Sequence, residues 1–289
     1  MKGLVLKNQN GYFTVVGESG ISIRCRSRGV LKRKTDILVG DYVEFELGHQ
    51  DGEGVISKVY ERKNQLYRPP IANVDELVLV SAICTPDLNQ FLLDKMIILA
   101  ELADMNPVIC INKCELNHEA AEAAADSYRD AGYSCIRTST YTKEGLEELE
   151  SMLTGEIIAF SGPSGAGKSS LLNYLIGNRH FASGEVSLRT GRGRTTTKHA
   201  ELIRFKEQSF LMDTPGYTLL EINALKEEQA GVLFREFHPY LGKCKFNNCV
   251  HVSEPGCAVR QAVSVGHIQQ RRYESYLKIL QEVRNIRKY

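Results

Sequence analysis

Gly162-Pro163-Ser164-Gly165-Ala166-Gly167-Lys168-Ser169 fits G-x-x-x-x-G-K-[ST] and stands between an apolar run at 156–160 and helical spacing at 169–176. No other segment constrains the fold as much. A strand must end, the backbone must turn its N–H groups inward, and a helix must begin, which belongs in a mostly parallel sheet covered by helices. The glycines let the backbone approach a polyphosphate, and the helix N-terminus adds partial positive charge. Lys168 is placed to reach β- and γ-phosphates and Ser169 to ligate Mg²⁺, with Ser170 next in the same turn.

The middle of the chain repeats that logic. Apolar runs at 76–83, 107–111 and 133–137 alternate with helical spacing at 91–103, 119–131 and 144–153. Such sheets bind ligands beyond the carboxyl ends of their strands, so the informative residues should follow strands. Asn112-Lys113-Cys114-Glu115 follows the run at 107–111. In GTP-binding proteins N-K-x-D reads guanine, because the acid accepts from N1–H and the 2-amino group, which adenine cannot supply. Here the acid is Glu115, one methylene longer. Thr138 and Ser139 follow the next strand and fit a second guanine-facing loop. Asp213-Thr214-Pro215-Gly216 follows an apolar run at 210–212. Asp213 can hold Mg²⁺ through water, and Gly216 can offer its N–H to a γ-phosphate. Between them lies Gly191-Arg192-Gly193-Arg194-Thr195-Thr196-Thr197, where Thr196 or Thr197 can touch the γ-phosphate and Thr197 can ligate Mg²⁺. Ordinary GTPases place the phosphate loop first and the guanine motif last. This chain reverses them, an order that joining old termini and opening a new break would produce.

Two further segments flank this region. Alternation at 12–16, 20–26, 40–47 and 55–59 predicts short strands and a small β-barrel of a kind that binds oligonucleotides. Arg68-Pro69-Pro70 marks a boundary. Helical spacing at 227–236 and 268–287 predicts a mainly helical end. The expected domains are therefore 1–65, 66–222 and 223–289. The net charge of +1 conceals a pattern: 11 basic against 8 acidic residues in 1–65, 14 against 21 in 66–222, and 11 against 6 in 223–289. Basic ends fit a polyanionic partner. No apolar stretch approaches the ~20 residues that span a bilayer, and the start turns polar too soon for a signal peptide, so the expected location is cytoplasmic. Five of the eight cysteines are scattered and read as free thiols. Cys244, Cys249, His251 and Cys257 fall within 14 residues, and three thiolates with one imidazole suit a closed, structural Zn²⁺ site, one per chain.

Taken in order, these motifs resemble the circularly permuted GTPases of the ribosome small-subunit-dependent GTPase A family over nearly the whole length. The resemblance implies an N-terminal OB-fold barrel, a permuted P-loop GTPase domain of α/β class and a C-terminal zinc-binding domain. It implies a monomer that hydrolyses GTP to GDP with Mg²⁺, slowly alone and faster on the small ribosomal subunit, acting late in that subunit's maturation and contacting its rRNA, with no membrane partner. The chain departs from the pattern at Glu115, at Thr195, where many relatives carry histidine, and at Tyr217, where Ras-like enzymes place a water-orienting glutamine. Two other readings stay open at this point: a non-switching RNA-binding module with a structural nucleotide, and a P-loop kinase.

Overall fold

The computed structural model describes residues 1–29, 36–48, 52–67, 70–177, 201–214 and 225–286. Five strands open the chain: β1 (Lys2–Gln9), β2 (Tyr12–Gly17), β3 (Ser22–Ser27), β4 (Tyr42–Leu47) and β5 (Gly54–Val59). They close into a barrel in the order β1-β2-β3-β5-β4, with β4 pairing back onto β1. This is the OB-type arrangement expected from the alternating pattern. The inward residues Val5, Phe13, Val15, Cys25, Val43, Phe45 and Ile56 form its core. Each such burial is worth roughly 1.5–3 kcal/mol, which is why register is firmly set wherever one face is covered.

A short ribbon of β6 (Gln65–Tyr67) and β7 (Pro70–Ala72) leads into β8 (Glu76–Ala82). Then come α1 (Gln90–Leu102), β9 (Asn106–Asn112), α2 (His118–Asp130), β10 (Ser134–Thr138), α3 (Leu146–Met152), β11 (Ile157–Ser161) and α4 (Lys168–Ile176). After these follow β12 (Ile203–Lys206), β13 (Ser209–Asp213), α5 (Glu227–Ala230), α6 (Ala258–Ser264) and α7 (Gln270–Ile286). All seven residues of β8 and all five of β11 are buried, as in parallel strands covered on both faces. Asn89 and Asn117 start α1 and α2 by accepting from Leu92 N (3.1 Å) and Ala120 N (3.0 Å).

Contacts divide the chain into two compact units, and β8 passes from one to the other. The first contains the barrel and, in hydrogen-bonded order, the start of β8 with β11, β13 and β12. There β11 runs parallel to β13 with Phe160 opposite Asp213. The second unit contains the rest of β8 with β9 and β10, their helices, and the C-terminal segment. There β9 runs parallel to β10 with Asn112 opposite Thr138. Its C-terminal core gathers Phe234, Phe237, Tyr276, Ile279 and Val283 around Ile98 and Leu99 of α1. A buried network locks α7 onto α1: Arg272 donates to Asp94 (2.7 Å) and Glu236 (2.6 Å), while Arg271 (2.7 Å) and Ser275 (2.6 Å) also donate to Asp94.

The helix expected over 227–236 is corrected. Only Glu227–Ala230 is α-helical, and two tight 3₁₀ turns follow at Gly231–Leu233 and Arg235–Tyr240. The break comes at Phe234, whose backbone is extended (φ −95°, ψ 106°), while Gly231 keeps helical angles and lacks a side chain because a Cβ there would stand 3.1 Å from the Cδ2 of His251.

Candidate functional site

In the first unit, the loop after β11 is shaped by its glycines. Gly162, Gly165 and Gly167 have φ of +150°, +80° and +95°, the region open mainly to glycine, and Gly167 hands directly to α4. Ala166 N closes the turn on Pro163 O (3.2 Å). Ser164 and Gly165 are exposed at the tip, while Ser169 and Ser170 lie in the first turn of α4. The Lys168 Nζ folds back onto the loop, donating to Gly162 O (2.7 Å) and Pro163 O (3.2 Å). Burial pulls its pKa below the ordinary lysine value, and the Asp213 carboxylate pushes the other way. Asp213 ends β13, and Thr214 ties that end to the neighbouring strand through N and Oγ1 to Phe160 O (3.0 and 2.7 Å). The arrangement presents backbone N–H groups, a half-buried ammonium and a carboxylate at two adjacent strand ends, a donor set for a polyphosphate with its oxygen-seeking cation. Thr196, Thr197 and Gly216 lie outside the described residues, as do Thr195 and Tyr217.

In the second unit, β9 and β10 deliver the other nominated loops. The Thr138 hydroxyl donates to Asn112 Oδ1 (3.0 Å), so the two strand ends are held together through the motif itself. Lys113 adopts a left-handed φ of +60° and its ammonium donates to the Thr85 carbonyl. Ser139 Oγ accepts from Tyr141 N (3.2 Å) and Thr142 N (3.0 Å), which curls that loop. Cys114 is fully buried, and burial with Glu144 beside it pushes its thiol up to about 11. Glu115 has one carboxylate oxygen, Oε2, buried with no hydrogen-bond partner among the described residues. A buried carboxylate oxygen with no donor is costly unless a ligand supplies one, and guanine offers two N–H donors at this kind of position.

The C-terminal segment brings Cys244, Cys249, His251 and Cys257 together, with all four donor atoms within 4.8 Å of one another. His251 Nδ1 lies 3.6 Å from Cys244 Sγ, 3.4 Å from Cys249 Sγ and 3.4 Å from Cys257 Sγ, and Cys244 and Cys257 sulfurs are 3.9 Å apart. Ligands on one tetrahedral zinc ion stand about 3.6 Å apart for N–S and about 3.8 Å for S–S, from bond lengths near 2.05 and 2.3 Å. The residues therefore fit a structural metal ion. Burial raises the Cys249 and Cys257 thiols and lowers His251, so the imidazole is held neutral, as a ligand must be. Outer contacts orient the set: Ala258 N donates to Cys244 Sγ and Arg260 N to Cys257 Sγ, both at 3.4 Å.

Three contributors here carried no sequence motif. Glu254 accepts from Val250 N (2.8 Å), Val252 N (2.8 Å) and Ser253 N (3.0 Å), folding the loop that carries two ligands. Tyr273 and Tyr276 donate to His251 O (2.7 Å) and Val250 O (2.5 Å). Only the i, i+3 spacing of the two tyrosines hinted that they share a helix face.

A barrel, a P-loop α/β sheet whose guanine-type motif precedes its phosphate loop, and a closed Cys₃His cluster together define a circularly permuted GTPase. The family profile described as RsgA GTPase matches residues 59–223, and that described as RsgA N-terminal domain matches residues 2–56. The chain is 45% identical to the small ribosomal subunit biogenesis GTPase RsgA of Caldanaerobacter subterraneus subsp. tengcongensis, covering 98% of this chain and 96% of that protein. The counterpart from Alkaliphilus metalliredigens is 40% identical, covering 100% and 99%. Among solved structures, the circularly permuted GTPase YloQ superposes with a TM-score of 0.83 at 33% identity, covering 98% and 95%. YjeQ from Thermotoga maritima gives 0.82 at 36% identity, covering 98% of each chain. The chain belongs to the RsgA GTPase family.

Proposed function

We propose that this GTPase hydrolyses GTP to GDP in the service of small-ribosomal-subunit maturation, binding that subunit's rRNA and responding to it. The observation that carries the reading is the phosphate loop, where Lys168 bends over Gly162 and Pro163 at the start of α4 beside Asp213. In this reading Gly162 to Ser170 hold the phosphates, and Asn112, Lys113, Cys114, Glu115, Thr138 and Ser139 form the guanine-reading loops. The orphan Glu115 oxygen favours guanine over the small acceptor of a kinase, which would leave these residues without a task.

Catalysis rests on positioning and charge. Lys168 leaves its loop carbonyls for phosphate oxygens, and the N–H groups at the α4 terminus stabilise the negative charge that builds there. Thr196, Thr197 and Gly216 complete the γ-phosphate contacts. Ser169 and Thr197, with Asp213 through water, would hold Mg²⁺, which when bound would supply charge neutralisation at the transferring phosphoryl group. Tyr217 follows Gly216, and a phenol cannot orient water as a carboxamide does, so turnover by the free protein is slow. The Cys₃His cluster holds one structural Zn²⁺. The division into 1–65 as RNA-binding barrel, 66–222 as GTPase and 223–289 as zinc domain, the cytoplasmic location and the monomeric state belong to the same reading. No helix among the described residues is long and apolar enough to cross a membrane.

The test is nucleotide turnover with and without purified small subunits, with ATP as control. Hydrolysis of GTP but not ATP, rising when subunits are added, is the expected result. Equal rates with and without subunits would overturn the ribosomal part, and equal use of ATP the guanine part.

A further inference from the structure

One cluster of metal-type donors among the described residues, which includes Cys114 of the guanine-reading loop, is given no metal in that account. Cys114, His118 and Glu144 each place a donor atom within 4.8 Å of the other two. They come from three places: Cys114 opens the 3₁₀ turn Cys114–Leu116, His118 is the first residue of α2, and Glu144 lies in the loop before α3. Gly145, with φ +68°, pins that loop, since a Cβ there would stand 2.0 Å from Arg137 O.

The carboxylate is already oriented. Arg137 Nη1 holds Glu144 Oε1 at 3.3 Å, while Oε2 faces His118 Nδ1 at 3.7 Å. That second distance is too long for a good hydrogen bond and close to the roughly 3.4 Å between nitrogen and oxygen ligands of one tetrahedral ion. Arginine on the far oxygen is the kind of outer contact that aims a ligating carboxylate. The sulfur of Cys114 comes from the buried side, whereas the side chains of His118 and Glu144 are 58% and 34% exposed. The set is therefore three-sided and open to solvent, unlike the closed Cys₃His cluster. Thiolate, imidazole and carboxylate together select a borderline transition ion over Mg²⁺.

We propose that Cys114, His118 and Glu144 form a second, open divalent-metal site for Zn²⁺ or Co²⁺, and that its occupancy slows release of the guanine nucleotide. The second clause rests on reading 112–115 and 138–139 as guanine loops. Cys114 precedes Glu115, and Glu144 O accepts from Ser139 N (3.0 Å), so one ion ligated by both side chains cross-links the two loops. Loops held in place release their ligand more slowly.

The experiment starts from full-length protein with its Cys₃His cluster filled by one equivalent of Zn²⁺, to which Co²⁺ is added. One further equivalent with thiolate-to-cobalt charge-transfer absorption is expected. Cys114→Ser should remove that absorption. His118→Ala, at an exposed position that cannot disturb the core, should weaken Co²⁺ binding by more than the roughly 10–100-fold that losing an outer contact of a ligand costs. No second absorbing equivalent, or an unchanged one in both variants, overturns the site. Dissociation of a fluorescent GDP should slow severalfold on adding Co²⁺ to the parent and stay constant in His118→Ala. Bound Co²⁺ with unchanged dissociation overturns the regulatory clause. Failure to bind GDP at all would count against the guanine reading, while the absorption still decides the site.

Discussion

At the scale of single residues, the two nucleotide motifs make opposite kinds of commitment before any ligand arrives. Lys168 has partners in its own loop, Gly162 O and Pro163 O, so the free protein tolerates its charge. Exchanging those carbonyls for phosphate oxygens is a gain of charge-assisted bonds. Lys168→Ala should weaken GTP binding roughly ten- to 150-fold, from the 1.5–3 kcal/mol of a hydrogen bond to a charged group, and turnover at least as much. Equilibrium binding of a fluorescent GTP analogue checks it, and unchanged affinity would remove the assignment. Glu115 is the reverse case, because its Oε2 is buried with no donor among the described residues. Glu115→Gln should therefore leave urea stability of the free protein unchanged or slightly higher, yet weaken GDP binding by about 1.5–3 kcal/mol. Loss of stability with normal GDP affinity would mean that the carboxylate serves the fold. Both could be nominated from the sequence because each lies in the connection that follows a buried strand, Lys168 where α4 opens after β11 and Glu115 in the turn after β9. Glu254 could not, since accepting backbone N–H groups leaves no spacing signature, and the i, i+3 spacing of the α7 tyrosines gave a shared face without their carbonyl partners.

At the scale of elements, legibility followed periodicity and failed where something interrupted it. The buried strands β8, β9 and β11 were evident as apolar runs. β1 was not anticipated, and a register shift between Val5 and Lys7 explains why: the bulge breaks the alternation. α6 was missed because its cap is Cys257, whose sulfur accepts from Arg260 N in place of the usual hydroxyl or carboxamide. The same region offers an element-scale test. Burial alone would raise the Glu254 pKa, but the backbone N–H groups of its loop outweigh burial and hold it at about 2, below the ordinary 4.5. A folded pKa below the unfolded one gives stability that is fully present above about pH 4.5 and fades as pH falls toward about 2. Glu254 is partly exposed, so solvent screening cuts the gain to about 1–2 kcal/mol. Glu254→Gln should cost that much at pH 7, and the gap to the parent should close through this acid window. Paired unfolding curves at pH 7, 4 and 3 measure it, and a pH-independent gap would assign the loss to packing.

At the scale of the whole molecule, a net charge of +1 gives no long-range pull toward a polyanion, so any grip on RNA depends on local groups whose charge is not already spent. On the barrel, Arg24 and Arg26 stack over the Tyr12 ring, their guanidinium carbons 3.7 and 4.6 Å from its centroid. Both guanidinium groups also face Glu53, at 3.7 and 3.0 Å. These are exposed pairs, worth little to stability, but each partly cancels a cation that RNA could use. Glu53→Gln should therefore strengthen binding to a single-stranded RNA and steepen its salt dependence by about one counterion, whereas Arg24→Ala with Arg26→Ala should flatten it by about two. Tyr12 gives an independent reading, because stacking tolerates salt and charge pairing does not: Tyr12→Ala should weaken binding at every salt concentration with the slope nearly unchanged. Binding isotherms from 50 to 200 mM salt, about the range over which phosphate contacts lose most of their affinity, separate the three variants. If Glu53→Gln left both affinity and slope as they are, RNA would have to meet another face of the chain, and the positive excess of residues 223–289 would be the next place to remove charge.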